Sequence, residues 1–192
     1  MQVAALFVET DGCYFDLPDV DPWDEARDAR LYKGPHPVVA HPPCSRWCRL
    51  AGLVEARWGH KRGEDGGCFE SALDSVRRWG GVLEHPAYSD AFARYGLPAP
   101  DYAHGWQRTL DGGYVTYVEQ GRYGHPAKKA TWLYAHGTDD LPNLRWGPTP
   151  GREAKALVSW CGNRIQNGTN SQTNDATPDD RPRISKREAS AT

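Results

Sequence analysis

The chain has 192 residues, 39% of them apolar, with a net charge of -2, a pI near 6.4 and a mean hydropathy of -0.73. That length suits one domain with a full core, and the charge balance excludes the strongly basic footprint of a dedicated nucleic-acid binder. No segment is long and apolar enough to cross a membrane, and Met1 to Val8 lack the charged start and cleavage pattern of a signal peptide, so a cytoplasmic protein is expected.

Ala4 to Val8 reads as a first strand, followed by a turn at Glu9 to Gly12. Val20 to Trp23 is a second short extended piece, and Asp24 to Asp28 a helical turn. Pro37 to Ala40 is a buried strand, because Val-Val between breakers favours a covered, pleated setting. It ends abruptly in His41-Pro42-Pro43-Cys44. Each proline fixes its own φ and restricts the residue before it, so the chain leaves the strand in a stiff direction with the thiol at its carboxyl end. In open α/β sheets ligands bind along that edge. A helix is expected over Ser45 to Arg57, which would place Cys44 near a helix N-terminus and lower the thiol pKa.

Gly59 to Gly67 is a charged loop, and Cys68 to Trp79 a helix with Phe69, Leu73, Val76 and Trp79 near one face. Gly80-Gly81 stops it. Val82-Leu83 opens a strand that ends in Glu84-His85-Pro86. A short helix over Tyr88 to Tyr95 follows, then two β-rich runs, Tyr114 to Val118 and Ala130 to Ala135, joined by a structured loop. Strands alternating with helices imply an α/β sandwich. Residues 1–160 are expected to form one domain and residues 161–192 a polar, flexible tail.

Five cysteines with irregular spacing make no disulfide framework, and a reducing compartment suits them. Arg46, Arg49, Arg57, Lys61 and Arg62 fall close together and give either a solvated helix face or a local nucleic-acid contact. Each residue also has a plainer reading. Cys44 fits a small core residue, Glu84 a cap or salt-bridge partner, and Lys129 a surface cation. Most of the eight tryptophans fit packing roles.

Three strand-end signals occur in order: His41-Pro42-Pro43-Cys44, Glu84-His85-Pro86, and Tyr123-Gly124-His125-Pro126-Ala127-Lys128-Lys129-Ala130-Thr131. Their order resembles the DNA cytosine-5 methyltransferases, which carry a Pro-Pro-Cys loop, a later Glu-Asn-Val and a still later Tyr-Gly-Val-Pro-Gln-x-Arg-x-Arg. Asp28-Ala29-Arg30 resembles that family's acidic turn ahead of the Pro-Pro-Cys strand. The resemblance implies a Rossmann-like three-layer sandwich, trimmed at the cofactor end, of a kind that looks like a bacteriophage protein. It further implies Cys44 as nucleophile, Glu84 as the holder of the base, and Lys129 as an auxiliary cation. Phe7, Asp21, Trp23, Asp28 and Pro42 would bind S-adenosylmethionine, with Asp24 an alternative to Asp21. Pro43, Arg46, His85, Pro86 and Thr131 would contact a flipped cytosine in DNA. A partner subunit would supply target recognition, since the region that does so in the family is absent.

The chain departs from the pattern at several places. His85-Pro86 replaces Asn-Val, Ala127 replaces glutamine, and Lys129 and Thr131 replace the two arginines. The glycine-rich loop after strand one is reduced to Glu9-Thr10-Asp11-Gly12. A relative that binds DNA or nucleotide without catalysis, or that uses another donor, is the second reading. Zinc held by His41, Cys44, Cys48, His60 and Cys68 is a third, and their spacing does not match paired zinc ligands.

Overall fold

The computed structural model describes residues 1–102 and 105–150, so the expected tail lies outside the described residues. The molecule is an α/β protein built on one mixed sheet of seven strands, ordered β2-β1-β3-β4-β7-β6-β5. The strands are β1 (Val3–Leu6), β2 (Val20–Trp23), β3 (Val38–Ala40), β4 (Gly81–Pro86), β5 (Gln107–Arg108), β6 (Tyr114–Glu119) and β7 (Ala130–His136). β2, β1, β3 and β4 run parallel, whereas β7, β6 and β5 join antiparallel beyond β4. The helices are α1 (Ala51–Trp58), α2 (Cys68–Trp79) and α3 (Asp90–Arg94).

β1, second from the edge of the sheet, is made of small and apolar residues, and Ala4, Ala5 and Leu6 are fully buried. Its chain continues to β2 on one side, while β3 pairs on the other. This reversal of strand order opens a crevice at the carboxyl ends of β1 and β3, where α/β sheets take ligands. The crossover from β1 to β2, residues 7–19, consists of turns and bends and contains no helix. The short sequence between the two strands leaves no room for one.

The α2 helix forms as its sequence pattern demands. Phe69, Ala72, Leu73 and Val76 face inward and are buried, while Glu70, Asp74 and Arg78 do not enter the core. Asp65 fixes its start: its carboxylate accepts hydrogen bonds from the backbone N–H of Gly67 and Phe69 and from the Trp47 indole N–H, at 3.0, 2.8 and 2.7 Å. Phe69 packs on Trp47, Tyr95, Phe92 and the His85 ring of β4. Full burial of such a ring stabilises the fold by about 2–3 kcal/mol. Phe92 of α3 meets both Phe69 and Trp132 of β7, so α2 and α3 share one face of the sheet.

The expected helix over Ser45 to Arg57 is corrected. Residues 45–50 are turns, and α1 begins only at Ala51. Tertiary hydrogen bonds draw this segment inward: Trp47 donates to Asp65, and the Arg46 carbonyl accepts from the Gly63 N–H at 2.9 Å. Trp47 and Cys48 are buried in consequence, and Leu53 is 67% exposed. β5 is an added two-residue strand with no signal of its own in the sequence.

Candidate active site

The carboxyl ends of β1, β3 and β4 bring together the segments singled out from the sequence. Cys44 stands three residues past His41 and is partly exposed. Its carbonyl accepts from the backbone N–H of Trp47 and Cys48 at 3.0 and 2.9 Å. The thiol therefore opens a single helical turn, and a whole helix with its summed dipole does not follow it.

Glu84 lies on the face of β4 opposite Leu83 and His85, as strand alternation requires. One carboxylate oxygen, Oε2, lies 3.1 Å from His41 Nδ1. The other, Oε1, accepts from Gln120 Nε2 at 3.0 Å and faces Lys129 Nζ at 3.6 Å. Burial opposes ionisation of this carboxyl, but the His41 hydrogen bond and the Lys129 charge outweigh it and hold Glu84 below the usual glutamate range. Gln120 Nε2 also donates to Thr131 Oγ1 at 3.1 Å, and Thr131 Oγ1 donates to the Lys129 carbonyl at 3.1 Å. Lys129 has φ of 35°, a backbone setting that non-glycine residues adopt only under local constraint. Glu84, Val118, Gln120, Tyr123, Thr131 and Leu133 line a pocket of about 330 Å³, closed further by His125 and Leu144.

A second pocket, of about 650 Å³, opens at the strand-order reversal and is lined by Phe7, Glu9, Asp24, Glu25, Asp28 and Pro43 among others. Phe7 and Asp28, both expected here, have φ of 59° and 53°. The remaining expected cofactor residues are placed elsewhere. Asp21 pairs with Arg27 Nη1 at 2.7 Å and accepts from the Trp23 indole at 2.8 Å. Arg27 covers one face of Trp23 at 4.0 Å, Tyr32 meets the ring nearly at right angles, and Trp23 does not line this pocket. Pro42 is buried, and Pro43, expected against the base, borders this pocket instead. Asp24 lines the pocket, yet its oxygens accept from Thr10 Oγ1 and the Arg27 N–H in the manner of a turn cap.

The expected base contacts divide in the same way. Thr131 lies on the floor of the smaller pocket. Arg46 Nη1 is buried with no hydrogen-bond partner among the described residues. His85 and Pro86, also expected against the base, are both buried, and His85 packs against Phe69 on the face of β4 opposite Glu84. Among the described residues no group of three or more His, Cys, Asp or Glu side chains is placed to hold a metal ion.

Several site members escaped the sequence reading. Gln120, Tyr14, Glu9 and Glu25 were given no site role, and His41 was read as part of a strand-end motif and as a candidate metal ligand, with no link to Glu84. The fold and the two pockets define an α/β protein with a strand-end site built around a half-buried carboxylate. Comparison of the chain with protein-family models, curated proteins and solved structures finds no match.

Proposed function

We propose that this chain is a trimmed, Rossmann-like enzyme of the DNA cytosine-5 methyltransferase type, with Cys44 as nucleophile and S-adenosylmethionine as methyl donor. The observation that carries the reading is the 3.6 Å approach of Lys129 Nζ to Glu84 Oε1. These two residues are remote in sequence, and the family resemblance assigned both to one base-binding site.

The chemistry follows from the residues. Cys44 Sγ, as thiolate, forms a bond to carbon 6 of cytosine, and the displaced ring electrons make carbon 5 nucleophilic. When bound, S-adenosylmethionine would supply an electrophilic methyl group for carbon 5, with the sulfonium sulfur leaving as a neutral thioether. Loss of the carbon 5 proton and departure of Sγ then restore the aromatic ring. Glu84, ionised in the free protein, accepts from the exocyclic amine and takes part in proton traffic at ring nitrogen 3. Lys129 offers a cation toward the carbonyl side of the ring. The larger pocket suits a positively charged donor, because Glu9, Asp24, Glu25 and Asp28 border it against the single cation among the described residues, Arg30, which Asp28 already pairs at 2.7 Å, and no helix N-terminus from the β1–β2 crossover faces it. Its volume is that of small-molecule sites in general.

DNA is the proposed macromolecular partner. The segment carrying Arg46, Arg49, Arg57, Lys61 and Arg62 follows Cys44 directly, and its Trp58 is 58% exposed. A separate subunit would provide sequence recognition. The cysteines among the described residues form no disulfide, which suits the reducing cytoplasm of a host cell.

Nucleoside mass spectrometry on DNA from cells expressing the wild type and Cys44→Ser tests the reading. A methylated cytosine present with the wild type and absent with the variant is expected, and equal spectra overturn the reading. Calorimetry with S-adenosylmethionine separates donors: absence of heat directs attention to the relative that binds DNA or uses another donor.

A further inference from the structure

Tyr14 and His41 have no part in the roles assigned so far, yet they form a continuous chain to Glu84. Tyr14 Oη lies 2.7 Å from His41 Nε2, and His41 Nδ1 lies 3.1 Å from Glu84 Oε2. An ionised carboxylate only accepts hydrogen bonds, so Nδ1 carries the hydrogen and donates. In neutral imidazole Nε2 is then an acceptor, and the Tyr14 hydroxyl is the donor that fits it. A single tautomer satisfies both contacts. Burial, with smaller contributions from neighbouring Cys13 and Glu84, pushes the Tyr14 pKa up, which keeps the hydroxyl proton in place. The rings of Tyr14 and His41 also touch, with centroids 5.5 Å apart.

The two ends of this chain belong to different parts of the site. Tyr14 belongs to residues 7–19, whose Phe7, Val8 and Glu9 border the larger pocket. Glu84 borders the smaller one. We propose that His41, oriented by Tyr14, is the positioning residue that fixes the Glu84 carboxylate, and so links the segment beside the larger pocket to the base-holding acid. The inference rests on the proposed function for what Glu84 holds. The groups that face Glu84 are His41 beyond β3, Lys129 just before β7 and Gln120 beyond β6, with Thr131 behind Gln120 and His85 acting electrostatically from the opposite face of β4.

Three variants separate the two hydrogen bonds. His41→Asn keeps a donor near the Nδ1 position and gives up the bond to Tyr14, His41→Leu removes both, and Tyr14→Phe leaves Nε2 without its donor. Carbon-13 NMR of the Glu84 carboxyl, titrated in the free protein, reads the effect without any substrate. The Glu84 midpoint should rise in His41→Leu, rise less in His41→Asn, and shift in Tyr14→Phe. Nitrogen-15 spectra of the wild type should show hydrogen on Nδ1. Release of tritium from DNA labelled at cytosine carbon 5 should fall about a hundredfold in His41→Leu through kcat, with KM nearly unchanged and partial recovery in His41→Asn. Equal Glu84 midpoints in wild type and folded His41→Leu, or hydrogen on Nε2 in place of Nδ1, overturn the inference. Because the carboxyl titration needs no substrate, an unmodified nucleoside spectrum strikes the proposed function and leaves this result standing.

Discussion

The rings of Phe69 and His85 meet edge-on with centroids 5.1 Å apart, on the face of β4 opposite the Glu84 carboxylate. Burial drives the His85 pKa from 6.5 down to about 4, with the Glu84 charge acting weakly the other way. Between those values the unfolded chain binds a proton that the folded chain refuses. Stability is therefore complete above pH 6.5 and is lost as pH falls toward 4, by on the order of 3 kcal/mol. Urea unfolding at pH 7.5 and 4.5 should show this, and His85→Leu should flatten its share of the slope.

Gly81 starts β4 where the backbone of β3 comes closest. A Cβ there would lie 2.0 Å from the Val38 carbonyl oxygen, and φ is 120°. Gly81→Ala should destabilise the protein by at least about 2–3 kcal/mol, read as a lower midpoint in thermal or urea unfolding.

Lys129 combines a cation beside Glu84 with a left-handed backbone. Lys129→Gly should relieve backbone strain by about 1 kcal/mol and still lower cytosine modification at least tenfold. Lys129→Met should lose activity with no gain in stability. Unfolding midpoints and nucleoside spectra of the two variants separate strain from charge.

Asp111 is a structural carboxylate at the other end of β7. Arg77 donates to it at 2.9 and 2.7 Å, Tyr134 at 2.9 Å, and Thr109 also donates. Burial opposes its ionisation, but these donors outweigh that and hold the carboxyl far below the usual range. Asp111→Asn should cost about 2 kcal/mol of stability while modification per folded molecule stays unchanged. The stability that Asp111 contributes is present above the ordinary aspartate pKa and is lost as pH falls below it.

Arg57 stacks over Trp58 on the exposed α1 helix. Arg57→Gln with Lys61→Gln should weaken DNA binding and lower the salt slope by about one for each phosphate that is no longer neutralised. Titration of labelled duplex at several salt concentrations measures it, and unfolding curves should not change.

Much of the frame was legible because it is written in local patterns. Val20 to Trp23 and Cys68 to Trp79 fall where strand and helix periodicity put them. Glu84 and Lys129 were brought together by the family resemblance, whose motifs fall at strand ends marked by proline or glycine. Residues 45–50 were misread because the grip of Asp65 on Trp47 depends on a contact across the fold, which helical spacing alone does not encode. Tyr14 and Gln120 were missed for the same reason: their partners, His41 and Glu84, lie 27 and 36 positions away. The buried side of His85 was hidden by the one-residue alternation of β4, which sends neighbours to opposite faces.

β4 is the seam of the sheet, bonded to a parallel neighbour on one edge and an antiparallel one on the other. Glu84 pairs with Leu133 of β7 and directly follows Leu83, the last residue of β4 that β3 also holds, so it has little freedom to travel. The thiol rides on a proline-stiffened turn outside the sheet, and the lysine on a loop of its own. Any closing motion over a substrate must bring these two to a stationary acid, which makes Glu84 the anvil of the site.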